Sequence, residues 1–504
     1  MNNVAIVGCI AVVVYAGIIL GIALRSSRNK DTVSTGKKFF LGSGLGVIVL
    51  LFSMMASSFS TWVIMGAPVT TYTTGMTWVM LVTLYQMTMA FSCGYLGPRF
   101  WRLRRARDYV TQGDLVADYF KDNKIRYLMG TGFVLGMFAS CVAQFRAMGT
   151  AISTMTDGVI PYWAATLFLF AVIAVYVCIG GFTGSALVDT FQGMLFTFVL
   201  WGGFAVVLVK LAGLGNLFDE VAAVDTRLIL YGDNSPDSLW PPVAAITFCL
   251  TTCFGGGFTP GFWQRYYAAD NPQTLKKMSV WFPILVSLGV TTSGGLVGLA
   301  AHAFEARGIT ISNPSSVFQL LLSAISTPYW SVFVVIAVLA AGMSTVAGYM
   351  NGSAMILTYD FIHTFRPNID DVKLRDRGRI IMVAMMALAY LLSQFTTSAV
   401  TALIALAVAF YAVALYPVIT IFIWKRGTYA GCLAASVGSL CAVIVTNFIL
   451  KNPLGVHSGV WGLMVGFSLY FLVSLATKPI PAEQRAAYLE PLRKTKVYER
   501  TYTD

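Results

Sequence analysis

Ser344 and Thr345 stand side by side in AGMSTVAGYMNGS, residues 341–353, in the middle of an apolar stretch covering roughly 329–358. Alanine and glycine replace bulk there. On a helix, the residues three and four positions ahead share a face, so the Ala341 carbonyl and the two hydroxyls converge. Three neutral oxygens on one face form part of a shell for a hard cation such as sodium, for which carbonyls and hydroxyls suffice. The same residues fit a second reading. Each hydroxyl bonds back to a carbonyl one turn earlier, inside the small-residue seam common between membrane helices.

Two other stretches could supply or surround such a site. MMASSFSTWVIMGAP (54–68) carries hydroxyls at Ser57, Ser58, Ser60 and Thr61, followed by Gly66 and Pro68. CFGGGFTPG (253–261) carries three successive glycines and Pro260. Glycine loses helical order and proline removes a donor, so both read as discontinuous helices. At membrane depth, broken backbone is tolerated only where it lines a cavity or a site.

Charged groups inside apolar stretches are functional candidates. Arg146, in CVAQFRAMG, lies seven residues before Ser153, about 10 Å below the outer end of its span at ~1.5 Å per residue. With Gln144 beside it, its guanidinium fork suits a carboxylate-bearing solute in an outer vestibule; an internally paired or snorkelling arginine is the alternative. Lys210 sits near a span end and snorkels. All eight cysteines fall in apolar stretches without a C-x-x-C, and Cys249 and Cys253 lack the further ligands of a metal site. They read as small buried hydrophobes. The three histidines lie at span ends or in loops, and no nucleophile–base pair occurs within the spans, so the chain does not read as an enzyme.

The elements that must position these residues are membrane helices. The chain is 57% hydrophobic and 11% charged, with a mean hydropathy of +0.73, unlike a soluble protein of 504 residues. Thirteen stretches are long enough to span a bilayer: 4–24, 45–71, 77–97, 128–152, 161–181, 190–213, 241–262, 275–303, 329–358, 378–395, 399–424, 429–450 and 459–477. With the N-terminus outside, the inner segments 25–38, 99–126, 263–277, 363–379, 425–426 and 478–504 hold 29 of the 34 basic residues. The net charge of +12 is therefore topological, N-out and C-in, and gives no reason to expect a nucleic-acid partner. MNNVAIV has no basic residue ahead of the first span, which reads as a retained helix.

One membrane domain occupies 1–504, with YVTQGDLVADYF (109–120) a short surface helix and 478–504 an inner tail. Spans two to six (45–213) and seven to eleven (241–424) form two five-helix blocks, each opened by a broken helix. An odd number makes the blocks enter from opposite sides, the pattern of inverted-repeat transporters. One extra helix precedes them at 4–24, and two follow within 429–477.

Three motifs carry a family resemblance. GGFTGSALVDTFQG (180–193), with Asp189 and Gln192, ASSFSTW (56–62) followed by GAP, and AAGMST (340–345) together resemble the sodium:solute symporters, across essentially the whole chain. The resemblance implies an all-α LeuT-type fold of thirteen helices in a bacterial inner membrane. It also implies sodium-coupled import of a small organic solute by alternating access. By resemblance the sodium ligands are the carbonyls of Ala56, Phe59 and Ala341 and the hydroxyls of Ser344 and Thr345. Some members hold a second sodium two and three positions later; Ala347 and Gly348 stand there in this chain, so one ion per cycle is expected. Solute is expected near Ser57, Ser58, Ser60, Thr61, Trp62 and Gln86, with Gln144 and Arg146 outward of it. Ser58 replaces the aspartate of a proline-transporting branch, which argues against proline and leaves a monocarboxylate or pantothenate-like acid, a sugar or another neutral solute. Asp189 is expected to cap a helix or pair with a base near the inner end, with a role in ion exit, and Tyr411 to gate the outer side. A transporter-like sensor working through a separate partner is the alternative function.

Overall fold

The computed structural model describes residues 3–28, 33–230, 242–396 and 400–493. Within them the chain is helical throughout, and one isolated β-bridge joins Leu45 to Ala269. The helices are α1 (Asn3–Ser27), α2 (Gly36–Leu41), α3 (Val47–Thr61), α4 (Ala67–Thr74), α5 (Met76–Phe91), α6 (Gly97–Arg107), α7 (Gln112–Phe120) and α8 (Lys124–Met155). Next come α9 (Tyr162–Leu211), α10 (Leu214–Val224), α11 (Pro242–Gly256), α12 (Pro260–Ala268), α13 (Pro272–Leu288), α14 (Val297–Ala306), α15 (Val317–Ile325) and α16 (Trp330–Met355). The last are α17 (Asp371–Phe395), α18 (Val400–Tyr411), α19 (Leu415–Phe422), α20 (Tyr429–Ile444), α21 (Ser458–Ala476) and α22 (Ala482–Arg493).

Ten helical stretches among the described residues are long and apolar enough to cross a membrane. The thirteen expected stretches also include 77–97, which lies in helix continuous from Met76 to Arg107, and 241–262, which forms the 15-residue α11 and, after the break, the start of α12. The stretches 161–181 and 190–213 are joined in the 50-residue α9. A straight rod of that length would be ~75 Å, against a ~30 Å hydrocarbon core. Gly181, at φ 56°, bends α9. Gly180 and Gly184 lie against Ala23 and Ser26 at the end of α1, whereas Gly149 of α8 meets Tyr162 and Thr166, and Gly203 meets Phe318 and Leu322. Thr154 of α8 also touches Ser316 at 3.3 Å, so both far ends of α9 lie at that end of the bundle. The helix doubles back at Gly181.

Both expected breaks are present. The first interrupts α3 near its end, at Ser60, whose φ of 44° is unusual for a residue with a side chain. Thr61 restarts the helix with its N–H and Oγ1 donating to Gln144 Oε1 at 2.9 and 2.8 Å. Between α11 and α12 the interruption covers Gly257–Thr259, where Thr259 Oγ1 donates to the Gly256 carbonyl at 2.7 Å. Ser92 Oγ donates to the released Gly257 carbonyl, also at 2.7 Å.

Helix α16 runs through the centre of the bundle with nearly every residue buried. Its small residues are needed for that position: a Cβ on Gly342 would stand 2.6 Å from Met148 Sδ and 2.8 Å from Thr61 Cγ2. At the basic end the expected short helix forms as α7, opened by a Thr111–Asp114 capping box, but seven of its nine residues are buried, so it is not a surface helix. The tail is not free there. Helix α22 docks on it through Tyr488 Oη to the Leu115 carbonyl (2.8 Å) and Gln484 Nε2 to the Tyr119 carbonyl (2.7 Å). The expected tail beyond Arg493, and the span ends at 241 and 399, lie outside the described residues.

Candidate functional site

Ser344 Oγ lies 3.0 Å from the Ala341 carbonyl and 3.1 Å from the Ala56 carbonyl. Thr345 Oγ1 lies 2.9 Å from the Ala341 carbonyl. The back-bonding expected of a packing seam therefore occurs. The contact to Ala56 is what packing alone does not require. The Ala56 carbonyl stands four residues before the break at Ser60 and faces α16 through this contact. Four of the five expected sodium ligands thus meet in one fully buried cluster. Phe59 is the fifth, and its carbonyl accepts the Trp62 N–H instead. Its ring is fixed against Phe196, 5.2 Å away edge to face. Neutral carbonyl and hydroxyl oxygens around a helix break match the donor chemistry of a weakly held monovalent cation.

Beside this cluster lies a cavity of about 50 Å³. Ser57, Ser58, Ser60 and Trp62 from the first break line it, with Thr252, Thr259 and Phe262 from the second. Ser140, Tyr349 and Tyr411 add hydroxyls, and Ile404, Ala405 and Val408 close an apolar side. The lining carries hydroxyls and no formal charge. Two glycines allow the surrounding elements to approach. A Cβ on Gly255 would stand 2.2 Å from the Val408 carbonyl, and one on Gly136 would stand 2.4 Å from the Tyr411 ring.

The other sequence-predicted solute residues lie elsewhere. Gln144 holds the restart of the broken helix, and Thr61 is bound to it. Gln86 is buried outside the cavity lining. Arg146 Nη1 donates to the Thr396 carbonyl at the end of α17, away from the cavity. The cysteines also need correction: Cys93, Cys141, Cys249 and Cys432 are buried, but Cys9, Cys178 and Cys253 are half-buried and Cys441 is exposed. Small side chains on bundle-facing and outward-facing helix surfaces alike account for this. Among the described residues no group of His, Cys, Asp and Glu could hold a metal ion.

Asp189 does pair with a base, and the base is Arg265. Their contact is 2.7 Å with both side chains 1% exposed. Ser53 Oγ accepts from Arg265 Nε at 2.8 Å and lies 3.3 Å from Asp189 Oδ2. Arg265 belongs to the stretch 263–277, expected as an inner loop, so its placement inside α12 corrects that reading. A guanidinium survives such burial only with a counter-charge. Asp189, just before the stretch 190–213, was the one signal in the sequence that a partner base had to exist. The pair lies directly beneath the cavity: a Cβ on Gly348 would be 3.6 Å from Ser57 Oγ and 3.7 Å from Arg265 Nη2.

Comparison with known proteins places these features in a wider group. The model of the Sodium:solute symporter family matches residues 39–438. The chain is 26% identical over 474 residues to the sodium/pantothenate symporter of Escherichia coli, covering 92% of this chain and 94% of that protein. It is also 26% identical over 488 residues to the osmoregulated proline transporter OpuE of Bacillus subtilis, covering 93% and 95%. A solved Na+-coupled sialic acid symporter, in a substrate-bound outward-open state, shares the fold with a TM-score of 0.73 at 15% identity, covering 94% of this chain and 98% of that one. Mhp1, a nucleobase-cation-symport-1 family transporter, superposes with a TM-score of 0.55 at 14% identity, over 89% and 97%.

Proposed function

The chain belongs to the sodium:solute symporter family, and we propose that it couples one sodium ion to the import of one small organic solute per cycle. It is a multi-pass membrane transporter and not an enzyme. The observation that carries the sodium site is the Ser344 hydroxyl, held between the Ala56 carbonyl of the broken helix and the Ala341 carbonyl of its own helix. When sodium is bound, these oxygens and Thr345 Oγ1 would hold it, with the Phe59 carbonyl free to join once it leaves Trp62. Ala347 and Gly348 offer no side-chain oxygen beyond the pair, which supports a single ion.

Sodium then acts as a bridge between α3 and α16. A state in which the break and α16 are tied binds the ion better than one in which they part, and the difference in affinity is the coupling. We assign thirteen spans, ten of them in two inverted blocks of five with one helix before and two after, α3–α4 and α11–α12 as the paired broken helices, and the basic end to the cytoplasm. The reversal of α9 at Gly181 supports that count.

For the solute, a pantothenate-like hydroxy acid suits the layout. Its carboxylate would meet Arg146 first on the outer side, and its hydroxyl and amide groups would meet the serines and tyrosines of the cavity. A neutral solute is the second reading, favoured by the uncharged cavity lining. Sodium-dependent thermal stabilisation of the purified protein, screened against pantothenate, monocarboxylates, proline and sugars, separates the two. Stabilisation by pantothenate that falls at least tenfold in apparent affinity on Arg146→Gln supports the acid reading. Stabilisation by neutral solutes alone, indifferent to that substitution, defeats it.

A further inference from the structure

Among the buried side-chain atoms of the described residues that have no hydrogen-bond partner, four lie along the way from the solute cavity to the basic end: Ser57 Oγ, Asn351 Nδ2, Gln264 Oε1 and Gln112 Oε1. Their residues follow one seam. Ser57 lines the cavity, and Gln264 of α12 reaches Asn351 of α16 at 3.4 Å. Gln112, at the start of α7, donates through Nε2 to the Pro260 carbonyl at 3.1 Å, where α12 begins. Leaving a buried polar atom unpaired is costly, so four along one interface call for a reason. An interface that is sealed in one state of a transport cycle and hydrated in another supplies it.

The far end of the seam is closed by the start of α7. Thr111 and Gln112 are 0% and 1% exposed, buried like most of the helix they open. Thr111 Oγ1 bonds the carboxylate of Asp360, in the continuation of α16, while Gln112 bonds the start of α12. Arg126 braces the arrangement, with Nη2 2.7 Å from Asp114 and Nε 3.7 Å from Asp360. Gly113 admits this closeness, since a Cβ there would stand 2.5 Å from Asp360 Oδ1. Directly outside is a cleft of about 670 Å³, with Asp114, Arg126, Tyr359 and His363 in its wall.

We propose that Thr111 and Gln112 are the inner gate of the permeation route. They tie the second broken helix to the extension of the sodium-bearing helix. Release requires Gln112 to leave Pro260 and Thr111 to leave Asp360, which opens the seam from Ser57 past Asn351 and Gln264 to the cleft. This gate presupposes the alternating-access cycle proposed above and adds the residues that shut its inner side.

The test measures access and needs no solute. Asn351→Cys is introduced into the full chain in liposomes, and its alkylation by a membrane-impermeant maleimide is followed by peptide mass spectrometry. Adding Gln112→Ala or Thr111→Val is expected to speed labelling at residue 351 at least tenfold, with sodium-dependent thermal stabilisation retained. A second reporter, Ser331→Cys near the start of α16, is expected to keep its rate. If a gate variant does not fold, Gln112→Glu, which keeps the size but loses the donor to Pro260, gives the same reading. An unchanged rate at residue 351, or an equal rise at residue 331, overturns the gate. Either result leaves sodium-driven uptake to be judged separately.

Discussion

Ser344 and Thr345 are buried among carbonyls that they satisfy themselves, so their loss should cost ion binding more than folding. Replacing both by alanine is expected to raise the sodium concentration that half-saturates uptake at least tenfold, about 1.4 kcal/mol, while Thr345→Ser stays near the parent. Uptake measured over a sodium series checks both. Asp189 behaves in the opposite way. Asp189→Asn leaves the Arg265 guanidinium buried without its counter-charge, a loss of roughly 3–5 kcal/mol. The melting midpoint should fall sharply, and Asp189→Asn with Arg265→Gln should recover part of it. Of these residues, the Ser-Thr pair was legible because both hydroxyls sit on one helix face with Ala341. Arg265 was not, because it lies five residues past Pro260 in a stretch that reads as a polar loop, and only the tertiary position of Asp189 draws it inside.

At the level of elements, the two broken helices were legible because serine, glycine and proline interrupt apolar runs that have no other use for them. What holds them open was not. Gln144 accepts both donors of Thr61 from a neighbouring helix, and nothing in CVAQFRAMG distinguishes a helix cap from a solute ligand. Gln144→Ala should therefore lower stability by about 1 kcal/mol, the scale of a lost cap, without changing which solutes stabilise the protein. The tail helix gives a pH-dependent case. Burial works to raise the Asp118 pKa, but hydrogen bonds from Lys121 and Tyr109 and the charge of Arg107 hold it below the usual carboxylate range. Arg107 in turn donates to the Ala487 carbonyl of α22 at 3.0 Å. A depressed carboxylate contributes stability that is complete above its unfolded pKa and is lost as pH falls through the folded one. Hydrogen exchange in residues 482–493 should thus stay slow at neutral pH and quicken below about pH 4. Asp118→Asn should show the faster exchange already at pH 7.

Across the whole molecule, composition and the distribution of basic residues specify a polytopic helical bundle, because a bilayer demands length and apolarity that can be counted. The number of crossings is harder to count from single helices, since α9 folds back at one glycine and the crossing at 241–262 is divided by its break. The proposed sodium coupling depends on a longer-range contact, the meeting of the Ala56 carbonyl with the Ser344 hydroxyl. A sodium titration of the purified protein's melting temperature tests that meeting most directly. The account predicts a rise in melting temperature that follows a single-site curve with sodium, is absent with potassium, and disappears in the Ser344→Ala/Thr345→Ala variant while its sodium-free melting temperature stays close to the parent's. A double variant that is still stabilised by sodium like the parent would contradict it.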